Sequence, residues 1–337
     1  MAIVKADAYG HGIGPVVAAL ADRVAWFGVA NAREALATRA EAFSADILIL
    51  SPVTPEEMPA VVAHGFAASV STPGEVSAFG AVARSQGRVT SLHAVADTGM
   101  GRMGALPELF PTLVQMIQAT EGVELGGVET HFPSADEDEA FTMGQIAVFA
   151  DLMGTLKLPD TCQCHLGNSA GLLGFHSRTP FATLVRPGLA LYGISPLAKS
   201  QESLQTVLSW KSKVALIRDL PAGATVSYGR TYVTPRPMRV ATLGVGYGDG
   251  YARQLSGSGA EVLIGGRRCP LLGRVTMDQM VVDVSHLARV QAGDEVVLLG
   301  SQEGETITAG ELAEQAGTIS WEILTGITSR VERIYLE

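Results

Sequence analysis

The chain has 337 residues, with 24 Lys plus Arg against 34 Asp plus Glu, a balance of 24 − 34 = −10. Hydrophobic residues make up 47% and charged residues 17%, which supplies a large core and excludes a disordered chain. The three cysteines, Cys162, Cys164 and Cys269, are too few for a disulfide framework, and so acidic a chain lacks the clustered cations of a general nucleic-acid binder.

At about 150 residues per domain the length predicts two domains. Met1 is followed by a short apolar run, 2–4, and then by Lys5, with no basic n-region and no long apolar stretch. Neither a secretory leader nor a membrane span is predicted, so the expectation is a soluble, cytoplasmic chain that begins inside a structural element.

Short apolar runs then alternate with amphipathic stretches. Strand 2–6 precedes helix 13–21, 26–30 precedes 32–42, 47–50 precedes 55–64, and 68–71 precedes 73–84. Next come 91–96 with 107–119, 127–132 with 139–156, and 162–166 with 169–173, and 184–190 closes the series. Apolar strands between helices predict a parallel sheet buried on both faces, and about eight such units predict a (β/α)8 TIM-type barrel. After residue 199 the pattern changes. Runs 207–220, 226–233, 238–246, 260–264, 280–284 and 295–299 predict a mostly antiparallel β domain, with one helix over 309–315 capped by Thr308. The expected domains are therefore 1–199 and 200–337.

Candidate chemistry gathers at the predicted C-terminal strand ends, the active face of a barrel. Lys5 follows the first strand; desolvation there makes an amine nucleophilic toward an aldehyde, and the alternative is a lysine snorkelling at a strand end. Asp97-Thr98-Gly99-Met100-Gly101-Arg102 follows the fifth strand, where Arg102 can fork onto a carboxylate, although Gly-rich turns with an Arg are common. His131 ends the sixth strand, as either a structural or a catalytic histidine. His165-Leu166-Gly167-Asn168-Ser169 and Val185-Arg186-Pro187-Gly188-Leu189 end the last two. The Ser169 hydroxyl and the N–H groups of Gly188 and Leu189 suit a phosphate, or they form ordinary turns. Cys162, Cys164 and His165 do not make a zinc set, because alternate strand residues face opposite ways and no second cluster is present.

Taken together, VKADAYGHG, DTGMGRMG, THFPSADE, HLGNSAG, VRPGLALYG, VSYGRTY, GYGDGYAR and GRVTMDQ resemble alanine racemase, a pyridoxal-phosphate enzyme with a barrel and a C-terminal β domain. The resemblance implies interconversion of L- and D-alanine, supplying D-alanine for peptidoglycan, with serine or a broader amino-acid range as the alternative. It implies that Lys5 holds pyridoxal 5'-phosphate as a Schiff base, that Tyr9, Ser169, Gly188 and Leu189 bind its phosphate, and that Arg186 faces the pyridine nitrogen. His165 then supports Arg186, with Asn168 nearby. Tyr228 is the second catalytic residue, acting in the partner subunit of a homodimer, with His131 bonded to it. Arg102 and the Met277 N–H contact the substrate carboxylate. Asp136, Tyr247, Arg253, Arg274, Asp278 and Ile319 line the access corridor.

Three departures stand against the family pattern. Val95 occupies a position where many members carry a lysine, which is carbamylated in some and helps position the arginine corresponding to Arg102. Trp321 replaces a tyrosine that helps bind phosphate. Only four residues precede Lys5, where the family has a strand and a helix, so the resemblance implies a barrel without them and an impaired homologue as a further alternative.

Overall fold

The computed structural model describes residues 1–197, 201 and 203–336. It divides into two compact units, one of Met1–Ala8 with Gly12–Gln205 and one of Tyr9–His11 with Thr206–Glu337. The boundary expected at 199/200 lies outside the described residues.

The first unit is built on a parallel sheet of seven strands in sequence order, among the described residues. These are β1 (Ala2–Ile3), β2 (Trp26–Val29), β3 (Asp46–Ile49), β4 (Ala67–Val70), β5 (Thr90–Val95), β6 (Val123–Glu129) and β7 (Gln163–His165). The strands are short, apolar and almost wholly buried, as a parallel sheet covered on both faces requires. The run expected at 184–190 is not a strand of several residues. Leu184 makes a single bridge to His165, Pro187 has no N–H to offer, and Leu189–Tyr192 turns into a 3₁₀ helix. This stretch still seals the ring: the Met1 nitrogen donates to Val185 O and the Ile3 N–H to Pro187 O, at 3.0 and 3.2 Å.

Helices follow the strands, and local side chains fix their starts. Asn31 caps Ala32–Glu41, Thr72 and Glu75 form a capping box on Pro73–Ser85, and Asp138 caps Glu139–Thr155. Glycines make room inside the barrel. A Cβ at Gly127 on β6 would overlap Nδ1 of His93 on β5, so the histidine ring occupies space that a side chain would fill.

The segment after β1 departs from expectation. Instead of extended strand to residue 6, Ala6, Asp7, Ala8 and Tyr9 all take left-handed helical angles, with φ of 53, 54, 53 and 56°. Each such non-glycine residue costs roughly 1–2 kcal/mol. Four bonds hold the turn: Ala8 N–H to Val4 O, Gly12 N–H to Asp7 O, Ile13 N–H to the Asp7 carboxylate and Ala6 N–H to the Glu34 carboxylate, all 2.8–2.9 Å.

The second unit is antiparallel. Its main sheet comprises β8 (Trp210–Leu220), β11 (Met238–Leu243), β12 (Glu261–Ile264), β13 (Arg267–Leu272), β14 (Met280–Asp283), β15 (Glu295–Gln302) and β16 (Glu305–Ile307). The order is β12-β13-β14-β11-β8-β15-β16, and a further pairing of β12 with β15 closes the sheet on itself. The expected strand 226–233 is broken. Only β9 (Thr225–Val226) and β10 (Tyr232–Val233) pair, and a 3₁₀ turn at Tyr228–Arg230 interrupts them. Thr308 caps Ala309–Ala316 as expected, and a second helix, Ser320–Gly326, follows.

Candidate active site

The site residues of the first unit converge on one end of its barrel strands. Lys5 follows β1, and among the described residues its Nζ donates no hydrogen bond. Burial is the main cause holding its amine below the usual lysine range; Arg102 and Arg186 add to that, and the Glu34 carboxylate opposes it.

Arg186 is buried, at 4% exposure, and most of its donors are already committed. Nη1 donates to His165 O at 2.8 Å and to His165 Nδ1 at 2.5 Å. Nη2 donates to Thr130 O at 2.6 Å, to Leu166 O at 3.1 Å and to His131 Nδ1 at 3.2 Å. Among the described residues no acceptor takes its Nε–H. These bonds fix histidine tautomers, because a guanidinium can only donate. The Nδ1 atoms of His165 and His131 therefore accept, and each neutral ring carries its proton on Nε2. His165 Nε2–H then donates to His93 Nδ1, 2.8 Å away, deep in the barrel. Burial beside Arg186 suppresses protonation along this chain. His93 and His131 are each pushed down to about 3, and His165 is held well below its ordinary value.

Glu129, at the end of β6, lies against the same guanidinium. Its Oε2 is 3.4 Å from Arg186 Nη1 and 3.5 Å from His165 Nδ1, and its Oε1 accepts the Ser69 hydroxyl at 2.6 Å. Burial pushes this carboxyl up, while Arg186, the Ser69 hydroxyl and Arg102 pull it down. Neither Glu129 nor His93 was singled out from sequence. The available signal was a charge in the buried, C-terminal half of the strand before Thr130-His131, whereas Glu124 at the other end of β6 is exposed.

The turn after β7 prepares an anion site. Ser169 Oγ accepts the N–H groups of Gly188 at 3.0 Å and Ala190 at 3.1 Å. With its lone pairs engaged, the hydroxyl proton is left to donate. Asn168 donates to Phe132 O and caps Ser169–Phe175 by accepting the Gly171 N–H. Leu189 is buried at the start of the 3₁₀ turn. Arg102 is exposed on a loop shaped by Asp97, whose carboxylate accepts the Gly99 and Gly101 N–H groups. Val95 is buried and pairs in register with Glu129. Asp136 is exposed in the loop beyond His131.

The remaining expected site residues belong to the second unit. Tyr9 is buried, which pushes its phenol up to about 12. Tyr228 is 71% exposed on the tight turn between β9 and β10. Ser227 before it has φ 63 and ψ −175, a region almost reserved for glycine, and Arg230 after it is left-handed. The Ser227 hydroxyl holds this geometry by donating to Arg274 O at 2.6 Å. The Arg274 guanidinium lies so close to Gly229 that a Cβ there would be 3.0 Å from Nη1. Tyr247, Met277 and Ile319 are exposed, and Arg253 begins a 3₁₀ turn. Asp278 is paired with Arg330 at 2.8 Å, and Trp321 is half-buried with its carbonyl accepting the Thr325 hydroxyl.

Comparisons with known proteins match this arrangement along the whole chain. The family model "Alanine racemase, N-terminal domain" matches residues 1–196, and "Alanine racemase, C-terminal domain" matches 207–335. An alanine racemase of Symbiobacterium thermophilum is 42% identical over 99% of this chain and 90% of its own length. One of Methylacidiphilum infernorum is 39% identical over 99% of this chain and 85% of its own. Among solved structures, the alanine racemase of D-cycloserine-producing Streptomyces lavendulae superposes with a TM-score of 0.92 at 36% identity, covering 100% of this chain and 90% of that one. The biosynthetic alanine racemase of Pseudomonas aeruginosa gives 0.90 at 33%, covering 100% and 92%. Matches of this extent in both units show that the chain belongs to the alanine racemase family.

Proposed function

We propose that the protein interconverts L- and D-alanine with pyridoxal 5'-phosphate, supplying D-alanine for peptidoglycan, and that it works as a cytoplasmic homodimer. The observation that carries this reading is the match of both family models across the chain. The residues present fit the cofactor: among the described residues, Lys5 has an amine that donates no hydrogen bond, Arg186 an uncommitted Nε–H and Ser169 a hydroxyl free to donate. When bound, the cofactor draws electrons from the amino acid attached to it and so acidifies the Cα–H.

In this reading Lys5 would supply the amine that holds the aldehyde, and burial, which lowers its proton affinity, favours the neutral, nucleophilic form. Ser169 Oγ and the backbone around Gly188 and Leu189, with Tyr9, hold the phosphate. Arg186 would offer its Nε–H toward the ring nitrogen; a guanidinium keeps its proton, so Arg186 would not protonate that nitrogen and would limit side reactions such as transamination. Arg102 and the Met277 N–H take the substrate carboxylate.

Racemisation needs a proton removed from one face of the α-carbon and another returned to the opposite face. Two bases on opposite faces achieve this with little motion. Lys5 Nζ serves one face and Tyr228 of the partner subunit the other. The exposure of Tyr228 on a strained, hydroxyl-pinned turn supports that role. His131 Nε2–H, with its tautomer set by Arg186, is the donor that would hold the tyrosyl oxygen.

The test is direct. The chain purified with pyridoxal phosphate should absorb near 420 nm and convert L-alanine to D-alanine faster than L-serine or L-lysine. Lys5→Ala should abolish the band. Tyr228→Phe should retain it and lose proton transfer on one face. A chain that shows the band yet racemises no amino acid would refute the proposal.

A further inference from the structure

We infer that Glu129 is a positioning residue for Arg186: its carboxylate is the buried counter-charge that draws the two terminal guanidinium nitrogens into the barrel and leaves Nε–H facing the cofactor site. This rests on the functional reading above.

The geometry supports it in three ways. First, among the described residues Glu129 is the carboxylate within ion-pair distance of Arg186, at 3.4 Å. The other partners of Nη1 and Nη2 are neutral: three backbone carbonyls and two imidazoles. Neutral acceptors can orient a guanidinium but cannot cancel its charge, and a buried charge needs a counter-charge. Second, Glu129 is itself held. Its other oxygen takes the Ser69 hydroxyl from β4 at 2.6 Å, which locks the rotamer that brings Oε2 to Arg186. Third, Arg102 acts on Glu129, Arg186 and Lys5 alike, so the buried Glu129 carboxylate faces more than one cation, while Glu34 acts on Lys5. The neighbouring position on β5, Val95, pairs with Glu129 in register and is apolar, so the adjacent strand supplies no second charge there.

The experiment uses Glu129→Gln, Glu129→Asp, Arg186→Gln and the Glu129→Gln/Arg186→Gln double variant. Thermal melting is measured without cofactor, and pyridoxal-phosphate affinity and absorbance maximum are measured by titration. If the two side chains are a charge pair, each Gln single variant melts below wild type, and the double variant recovers at least half of the loss. Glu129→Gln binds pyridoxal phosphate roughly tenfold more weakly with a displaced absorbance maximum, while Glu129→Asp, which keeps the charge, stays within threefold of wild type. Additive losses in the double variant overturn the pairing. If Glu129→Gln keeps wild-type affinity and absorbance maximum, or Glu129→Asp is as impaired as Glu129→Gln, the positioning role fails even where the pairing holds. A wild-type chain that takes up no pyridoxal phosphate overturns the functional reading and this role together, whereas normal uptake by wild type and Glu129→Gln alike overturns only this role.

Discussion

Replacing Ala6 by glycine should stabilise the protein, the opposite of what that substitution does in an ordinary helix. Ala6 is exposed, so no buried methyl is lost, and its N–H bond to Glu34 survives. Its φ of 53° and ψ of 51° lie in the left-handed region, where a Cβ costs roughly 1–2 kcal/mol and glycine pays nothing. Glycine also widens the unfolded ensemble, which returns roughly 0.4–1 kcal/mol. The difference is a net gain of about 0.8 kcal/mol. Ala37, within the right-handed helix Ala32–Glu41, is the control, and Ala37→Gly should cost about 1 kcal/mol. At about 2–4 °C per kcal/mol for a unit of this size, the two variants should melt about 5 °C apart, with Ala6→Gly above wild type and Ala37→Gly below. Circular-dichroism melting without cofactor reads this directly. A fall for Ala6→Gly as large as that for Ala37→Gly would refute the strain argument.

Further outcomes follow from other parts of the structure. Gly10→Ala should destabilise by at least about 2 kcal/mol, because Gly10 has φ of +80° and a Cβ there would overlap the Leu324 carbonyl; urea unfolding should show a lowered midpoint with an unchanged slope. Acid should weaken the fold through the buried histidines. His93 and His131 titrate near 3 when folded against about 6.5 when unfolded, so the unfolded chain binds more protons between those values. Their contribution is complete above pH 6.5 and is lost as pH falls toward 3, at on the order of 1.4 kcal/mol per pH unit for each. Urea titrations at pH 7, 6 and 5 should show that slope, and His93→Gln should flatten it; equal stability at pH 7 and 5 would count against it. Ser227→Gly should relieve the strained turn and raise the melting temperature while lowering racemase activity, since the freed turn no longer fixes Tyr228. Unchanged activity would show that the turn geometry is incidental.

Much of the barrel was legible in the sequence because its strands are buried on both faces and read as short, unbroken apolar runs. Lys5, His131, His165 and Arg186 were singled out because each lies in or at the end of a predicted run, and strand ends of a barrel share one face, although the run that holds Arg186 is not a strand. The left-handed turn at Ala6–Tyr9 was not, since alanine and tyrosine carry no preference for that region; a local backbone bond to Val4 O and a long-range bond to the Glu34 carboxylate hold it. The run at 226–233 reads as one strand from Val226, Tyr228, Tyr232 and Val233, and the positive-φ backbone at Ser227, Gly229 and Arg230 divides it. Strand β13 was missed because Arg267, Arg268 and Pro270 mask the buried Cys269 and Leu272. Helix Ser320–Gly326 was missed because it is seven residues long and has no side-chain cap. His93 and Glu129 escaped notice because their importance is pairwise: their partners lie on strands far away in sequence.

The seal of the barrel bears on how the site is assembled. Lys5 lies just beyond β1, and Arg186 lies in the stretch that bonds to β1 through Val185 and Pro187. Tyr192 adds a third stitch, its hydroxyl donating to Ile3 O across 189 residues of chain. The amine and the guanidinium are therefore brought together by the seam that joins the two ends of the first unit's chain. A chain with that seam open holds both residues but no site. Any ligand that engages both acts as a latch on the finished ring, and cofactor uptake should report completion of the barrel rather than its collapse.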